Sequence, residues 1–105
     1  MEKPYRIVWR TSAKDDLRSI VYYIGQDLPG RARSFGKELR DKTKALAQHP
    51  KLGRTGRPGF APGIRELVVH PNYIVFYRLS MNARVVEILR IIHTAQVTQT
   101  YSSSD

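Results

Sequence analysis

The chain has 105 residues and no cysteine, which excludes a disulfide framework and thiolate chemistry. Eighteen Lys and Arg residues stand against nine Asp and Glu residues, giving a formal net charge of +9 at pH 7. This charge favours an anionic partner, such as a nucleic acid, a ribosome surface or an acidic protein. The lack of cysteine fits a reducing compartment and the first ten residues lack the long apolar run of a signal peptide, so we expect a cytoplasmic protein. No apolar stretch approaches the ~20 residues of a membrane span, so we expect no membrane partner.

The chain is long enough for one modest hydrophobic core, so we expect a single domain over residues 1–97 and a polar tail over residues 98–105. Residues 5–10 are rich in Ile, Val and Trp and alternate weakly in polarity, which predicts a first strand.

A first helix should follow, capped by Thr11 or Ser12 and with Asp15 and Asp16 in its first turn. Its apolar residues recur at the three- and four-residue spacing of one helix face: Ala13, Leu17, Ile20, Val21, Ile24 and Leu28.

Leu28-Pro29-Gly30 breaks this pattern, and a second helix is predicted from about Ala32 to Gln48. The short break makes the two helices an antiparallel hairpin. Residues 50–63 contain three prolines and four glycines and predict an irregular loop. The apolar stripe of the second helix is Ala32, Phe35, Leu39, Thr43 and Leu46.

Three strands are predicted after the loop, at residues 64–69, 73–79 and 85–92, joined by short turns. Short connections make these strands an antiparallel meander, to which the first strand must also pair. The fold class is therefore α+β, with the helical hairpin packed on one face of the sheet.

The middle strand is apolar on both faces, with Ile74 and Phe76 on one side and Val75 and Leu79 on the other. Because two helices cover only one face, the second face needs another cover. A partner chain, a helical tail or the long loop could each provide it.

Basic residues cluster in and after the loop, where Lys51, Arg54, Arg57 and Arg65 precede the first acid, Glu66. The loop matches neither a Walker phosphate loop nor a dinucleotide fingerprint. It is either a solvated loop or a contact surface for an anionic partner.

Arg65, Arg78 and Arg90 lie on three successive predicted strands. If they converge, they form a patch that could bind a phosphate or a carboxylate. Strand parity suggests that they do not all share one face, so an internal ion-pair network with Glu66 or Glu87 is the alternative.

His93 directly follows the last strand and is a candidate general acid or base, or alternatively a residue that satisfies a hydrogen bond at the strand end. The histidines lack metal-ligand spacing, so we expect neither a metal nor another cofactor. The aromatic residues Trp9, Tyr22, Tyr23, Tyr73 and Tyr77 are expected in the core or half-buried.

Several motifs together resemble the RelE/ParE superfamily of toxins from bacterial toxin–antitoxin operons. The resemblance implies a RelE/ParE-like fold. It extends from about residue 5 to residue 96, and the matching segments are Leu52-Gly53-Arg54, Gly56-Arg57, Gly63-Ile64-Arg65-Glu66-Leu67, Tyr73-Ile74-Val75-Phe76-Tyr77-Arg78 and Val86-Glu87-Ile88-Leu89-Arg90-Ile91-Ile92-His93.

The superfamily contains two mechanisms. RelE-like members cut mRNA in the ribosomal A site, and ParE-like members bind and inhibit DNA gyrase. This sequence is more similar to the ParE branch, through its long helical hairpin and the ending His93-Thr94-Ala95-Gln96. Tyr101, in the polar tail, is the one candidate for a RelE-type catalytic tyrosine.

The resemblance therefore implies a non-enzymatic toxin that inhibits gyrase and is neutralised by an acidic, ParD-like antitoxin, with plasmid stabilisation as an associated role. A RelE-like endoribonuclease is the alternative, with Arg65, Arg78, Arg90 and His93 as its site. A non-toxic relative that binds only antitoxin or operator DNA is a lesser one.

Two contact surfaces are predicted under the hypothesis that the chain is a ParE-like gyrase inhibitor. Gyrase or another anionic partner should contact Lys51, Arg54 and Arg57. The antitoxin-binding residues are expected to be Arg57, Arg65, Arg78, Val75 and Leu79.

Overall fold

The computed structural model describes residues 3–56 and 61–96. Helices and strands follow one another in the predicted order, with one short strand added inside the loop. The elements are β1 (Arg6–Trp9), α1 (Thr11–Asp27), α2 (Pro29–Lys44), a 3-10 helix (Ala45–Ala47), β2 (Arg54–Thr55), β3 (Ile64–His70), β4 (Tyr73–Ser80) and β5 (Val85–His93).

The five strands form one sheet in the order β1-β5-β4-β3-β2. β3, β4 and β5 form the expected antiparallel meander, and β1 joins it as an edge strand parallel to β5. The predicted α+β architecture is thus confirmed. The short strand β2 was missed, because its two residues lie in a segment whose glycines and prolines predict irregular chain.

The helices form one layer on the sheet. All five residues of the stripe predicted for the second helix are buried, four of them on α2 and Leu46 on the 3-10 helix that follows it, so the three- and four-residue spacing identified the core face. In α1, Ala13 is fully buried and the stripe is otherwise half-buried against the core, but Leu28 is 56% exposed. It lies at the break between the helices, where the chain leaves the core.

The predicted cap of α1 is wrong. The helix already includes Thr11, and Arg10 occupies the N-cap position without a side-chain hydrogen bond to the helix. Asp15 and Asp16 consequently fall beyond the first turn. Asp16 instead bonds to β5, as described below.

The predicted division of β4 into two faces is confirmed, and the structure shows which of the two the helices cover. Val75 has no exposed surface and packs under the helices, and Leu79 packs against the same core. Val75 therefore has no surface to offer an antitoxin in the single chain, contrary to its predicted role, whereas the role of the half-buried Leu79 stays a prediction. Ile74 and Phe76 lie on the opposite face, where Ile64 and Ile92 pack against them. We call this sheet side, turned away from the helices, the distal face.

The centre of the distal face is less open than the sequence predicts. Ile74 is 2% exposed and Phe76 is 4% exposed in the single chain. Exposed apolar side chains lie further out on the same face, where Val8 on β1 is 37% exposed and Val68 on β3 is 54% exposed.

Two tyrosines contradict the expectation that the aromatic residues are buried. Tyr22 and Tyr23 are 71% and 75% exposed, because they follow the stripe residue Val21 and turn away from the sheet. Tyr77 is completely buried, and Trp9 and Tyr73 are half-buried as expected. None of the described helices has the length and apolar character to span a bilayer.

Candidate functional site

The basic loop is attached to the sheet through Tyr77. Its hydroxyl accepts a hydrogen bond from the backbone N–H of Gly53 at 2.8 Å and donates one to the carbonyl of Pro50 at 2.8 Å. Arg65 adds a third bond, from Nη1 to the Gly53 carbonyl at 2.6 Å. Burial raises the pKa of the Tyr77 hydroxyl above its ordinary value of 10.0. The Arg65 guanidinium is therefore an internal hydrogen-bond donor that attaches the loop to β3.

Gly53 is required by this close approach. A Cβ atom at this position would lie 2.6 Å from the Glu66 carbonyl oxygen and 2.7 Å from the Tyr77 ring and hydroxyl. Because neither the backbone nor the buried ring can move freely, only glycine fits without a local shift.

The next loop residue, Arg54, is paired with a buried acid. It contacts Glu66 Oε1 through Nη2 at 2.6 Å and Nε at 2.8 Å, and the Glu66 side chain has no exposed surface. A buried carboxylate needs such a partner, because desolvation penalises its charge. Arg54 itself is 67% exposed and Lys51 is exposed, whereas Arg57 lies outside the described residues.

On the distal face, two arginines share one carboxylate. Arg10 Nη1 lies 2.7 Å from Glu87 Oε2, and Arg78 Nη2 lies 2.9 Å from Glu87 Oε1. The hydrogen bond from Arg10, then that from Arg78, lowers the pKa of Glu87 below its ordinary value. The cluster keeps one net positive charge. Arg10 was not predicted as part of this cluster, although Arg6, Val8 and Arg10 follow one another at two-residue spacing and so share one face of the first strand.

Arg90 is bound to α1. Its guanidinium contacts Asp16 through Nε at 2.7 Å and Nη2 at 3.1 Å. The same carboxylate accepts the backbone N–H of Ile91 at 2.9 Å. Because β1 ends at Trp9, opposite Ile88, this part of β5 has no neighbouring strand, and Asp16 occupies the free edge. No sequence signal connects residues so far apart.

The three strand arginines therefore do not converge. Arg65 lies opposite Tyr77 on the helix-covered side, whereas Arg78 and Arg90 belong to the distal face. Each bonds to a different internal acceptor. Of the two arrangements that the sequence allowed, internal pairing is found, but only Arg78 pairs with an expected acid, Glu87. Arg90 pairs with Asp16, and Arg65 bonds to a backbone carbonyl.

His93 lies at the end of β5 beside a cavity of about 520 Å³. Its ring makes an edge contact with Tyr73, at a centroid distance of 5.1 Å, and its Nδ1 accepts the Ala95 N–H at 3.1 Å. Arg90, Asp16 and Tyr23 also line the cavity. Burial raises the pKa of Tyr73, and the nearby Tyr23 adds to this shift.

Other candidate residues add no further site. The described residues contain no group of three or more His, Cys, Asp or Glu side chains that could hold a metal ion. Tyr101 lies outside the described part of the chain.

The comparison with known proteins agrees with the motifs. The sequence model of the ParE toxin of type II toxin–antitoxin systems, parDE, matches residues 7–98. "Putative toxin Y4kP" of Sinorhizobium fredii (strain NBRC 101917 / NGR234) is 38% identical over 92 residues, which are 87% of this chain and 90% of that protein.

Two solved structures show the same architecture. A chain of the chromosomal ParDE system from P. aeruginosa has a TM-score of 0.71 and 25% identity, covering 85% of this chain and 95% of that one. A chain of the RelBE2 toxin–antitoxin complex from Mycobacterium tuberculosis has a TM-score of 0.61 and 26% identity, covering 86% and 98%. The resemblance to the RelE/ParE superfamily is thus confirmed, and this chain belongs to the ParE toxin family of type II toxin–antitoxin systems.

Proposed function

We propose that this protein is a toxin that inhibits DNA gyrase by binding to it, without cutting a substrate. The observation that carries the proposal is the arrangement of the strand arginines. A metal-free ribonuclease needs several cations directed at one developing phosphorane. Here Arg65 and Arg78 lie on opposite faces, and Arg78 and Arg90 are each paired with a carboxylate.

His93 also fits a structural role better than that of a general base. Its Nδ1 atom is engaged by the Ala95 N–H, and its ring packs on Tyr73. An acid–base mechanism needs a second group placed to complete the proton transfer. His93 therefore has a structural role at the end of β5 in this proposal and takes no part in a reaction.

The proposal is tested by adding the purified protein separately to a gyrase supercoiling assay and to translating ribosomes with mRNA. Supercoiling should be inhibited while the mRNA remains intact. His93→Gln should inhibit gyrase as the parent chain does, with an unchanged melting temperature as the folding control. Normal supercoiling together with cuts in the ribosome-bound mRNA would refute the proposal.

A ribosome-dependent endoribonuclease is the second candidate, because one cavity brings Arg90 and His93 together with Tyr73 and Tyr23. This function would require Arg90 to leave Asp16 when RNA binds. In that case His93→Gln and Arg90→Ala should each abolish mRNA cleavage. Tyr22→Phe should have no effect, because Tyr22 follows Val21 on α1 but does not line the cavity as Tyr23 does.

We also propose that an acidic antitoxin segment binds the distal face. Arg10 and Arg78 have exposed side chains, at 54% and 47%, and they carry one net positive charge together with Glu87. Arginine has five N–H donors, so each of these two side chains can donate to a partner carboxylate and keep its bond to Glu87. Val8 and Val68 offer exposed apolar surface on the same face. Arg54 extends the basic surface at the far edge, on β2.

This location replaces the predicted one in part. Arg78 is retained from the residues expected to bind antitoxin. Val75 and Leu79 are not part of the distal face because they face the helices, and Arg65 is removed because it bonds to the Gly53 carbonyl.

A further inference from the structure

A second concave surface lies at the end of the sheet where β1 starts. It has a volume of about 940 Å³ and lies between the N-terminal segment, the chain after the 3-10 helix and the turn from β4 to β5. We call it the end cleft and define it by Lys3, Tyr5, Lys51, Leu52, Met81 and Arg84. Arg10, at the other end of β1, belongs to the distal face, so the end cleft is a separate surface.

One wall of the end cleft is fixed by Arg84. Its guanidinium carbon lies 4.6 Å from the centroid of the Tyr5 ring, and its Nη2 donates to the carbonyl of Lys3. Arg84 has a φ of 53°, a left-handed backbone conformation that residues other than glycine rarely adopt. Such a conformation persists where surrounding contacts hold it, and here the Arg84 carbonyl accepts the Arg6 N–H at 2.9 Å while the Arg84 N–H donates to the Met81 carbonyl at 3.3 Å.

The opposite wall, formed by the chain after the 3-10 helix, is held by hydrogen bonds to Tyr5 and Tyr77. Tyr5 donates its N–H to the Ala47 carbonyl at 2.8 Å, which joins the segment before β1 to the 3-10 helix. The Pro50 carbonyl accepts from the buried Tyr77 hydroxyl, so the chain leading to Lys51 and Leu52 starts from an anchored point. The end cleft is therefore formed before any ligand arrives, which reduces the entropy lost on binding.

The lining combines positive charge with exposed apolar side chains. Lys3, Lys51 and Arg84 contribute cations, and none of the residues described around the cleft is Asp or Glu. Leu52 and Met81 are each 55% exposed, although both are large and apolar. A ligand that covers both features must therefore carry negative charge and an apolar group.

We propose that the end cleft binds an acidic peptide segment of a partner protein. One apolar side chain of the segment lies against Leu52 and Met81, and flanking carboxylates contact Lys3 and Lys51. A nucleic-acid backbone fits less well, because its phosphates would leave Leu52 and Met81 in water. Base stacking is also restricted, because Arg84 already occupies one face of the Tyr5 ring.

The test measures binding of short fluorescent probes to the full-length chain by anisotropy, with neither gyrase nor antitoxin present. The probes are a peptide of alternating glutamate and leucine, a peptide of alternating glutamate and serine, and a single-stranded oligonucleotide. The glutamate–leucine peptide should bind most tightly. The double variant Lys3→Glu/Lys51→Glu should weaken it about tenfold, because two attractive contacts become repulsive.

Two further variants separate the contributions. Leu52→Ser should weaken the glutamate–leucine peptide about fivefold and leave the glutamate–serine peptide unchanged, because only the former buries an apolar side chain. The matched control Lys14→Glu/Lys37→Glu makes the same charge change on the exposed surfaces of α1 and α2 and should bind nearly as the parent chain does. Circular dichroism verifies that each variant is folded.

Two results would overturn the proposal. Equal losses in the cleft variant and the control variant would show that binding follows net charge alone. Tighter binding of the oligonucleotide, lost in Lys3→Glu/Lys51→Glu, would identify the cleft as a nucleic-acid site instead. Because the assay contains neither gyrase nor antitoxin, its outcome is independent of the proposed toxin function.

Discussion

At the scale of single residues, most of the basic side chains that attract attention in the sequence have internal partners. Arg54, Arg65, Arg78 and Arg90 each bond to an acceptor in the same chain. Arg54 matters for stability, because its partner Glu66 is buried and would otherwise be an unpaired charge. The other ion pairs involve more exposed groups and contribute less, with a typical value of about 0–1 kcal/mol for exposed pairs. Their main consequence is to fix where the guanidinium groups point.

Tyr77→Phe should destabilise the protein. The substitution removes one hydroxyl that satisfies both the Gly53 N–H and the Pro50 carbonyl. A buried polar group left without its partner costs about 1–3 kcal/mol, and each kcal/mol lowers the melting temperature of a domain of this size by about 4–8 °C. Thermal unfolding followed by circular dichroism measures the change.

The matched control is Tyr22→Phe, which removes a hydroxyl from a side chain that is 71% exposed and should leave the melting temperature unchanged. An unaltered melting temperature in Tyr77→Phe would mean that the two bonds do not hold the loop.

Glu87→Gln should change how stability depends on pH. The pKa of Glu87 is lowered in the folded chain, first by Arg10 and then by Arg78, from an ordinary value of 4.5. A lowered pKa means that the carboxylate stabilises the fold fully above pH 4.5 and that this contribution disappears as the pH falls through the folded-state pKa. The difference in unfolding free energy between the parent chain and Glu87→Gln should therefore shrink in acid.

Urea unfolding at a series of pH values gives this difference directly. Glu38→Gln, at an exposed position on α2, serves as the control for removing one negative charge. A difference that stays constant from neutral pH down into the acid range would contradict the assignment of Glu87 as an ion-paired carboxylate.

At the scale of elements, the sequence predicted the buried face of the second helix better than the point at which the first helix begins. The five-residue stripe predicted for the second helix is buried, because helical spacing is a local property that any helix of this sequence must show. The start of α1 was misplaced because Thr11 and Ser12 are both good capping residues, yet the chain enters the helix directly from β1 through Arg10.

Strand parity was harder to read than helical spacing. Register shifts occur between Val68 and His70 and between Phe76 and Tyr77. The second shift leaves Ile88 and Ile91, three residues apart on β5, both in the core under the helices. A strict two-residue alternation would place them on opposite faces. Such a bulge changes which residues meet the helices, and nothing in the local sequence announces it.

Gly53→Ala should destabilise the attachment of the loop to the sheet. The added methyl group would lie 2.6 Å from a backbone oxygen of β3 and 2.7 Å from the Tyr77 side chain, so the loop must shift. We expect a loss of about 1–3 kcal/mol, in the range of overpacked core positions. Chemical unfolding of the purified variant measures it.

Gly30→Ala provides the opposite control. An added Cβ at this position of α2 meets only the end of the Arg33 side chain, at 4.0 Å. Alanine favours the helix over glycine by about 1 kcal/mol, so this variant should be as stable as the parent chain or slightly more stable. If both glycine variants lose stability equally, crowding at Gly53 is not the reason.

At the scale of the whole molecule, the charge of +9 and the exposed distal arginines favour an acidic partner. A ligand that binds only the folded chain stabilises it by about 4 kcal/mol when its free concentration is a thousandfold above its dissociation constant. The toxin should therefore melt several degrees higher with the proposed antitoxin present. Added salt should slow association more than it speeds dissociation, because screening acts on the encounter.

Charge reversal locates this contact. Arg10→Glu/Arg78→Glu should weaken antitoxin binding, whereas Arg33→Glu/Lys37→Glu, on exposed positions of α2, should change it little. Hydrogen exchange should show protection on β1 and β5 in the complex. Equal binding by both double variants, or protection confined to residues outside the sheet, would place the antitoxin elsewhere.

The sequence by itself determined the order of the elements, the buried stripe of α2, the α+β class and the family. These follow from local periodicity and from short motifs that need no knowledge of distant contacts. Only the tertiary structure decided which face of β4 the helices cover, and where each arginine finds its acceptor. Asp16 and Arg90 are 74 residues apart, and they meet because β1 ends before β5 does and leaves part of that strand without a neighbour. A pattern read along the chain carries no information about such a meeting.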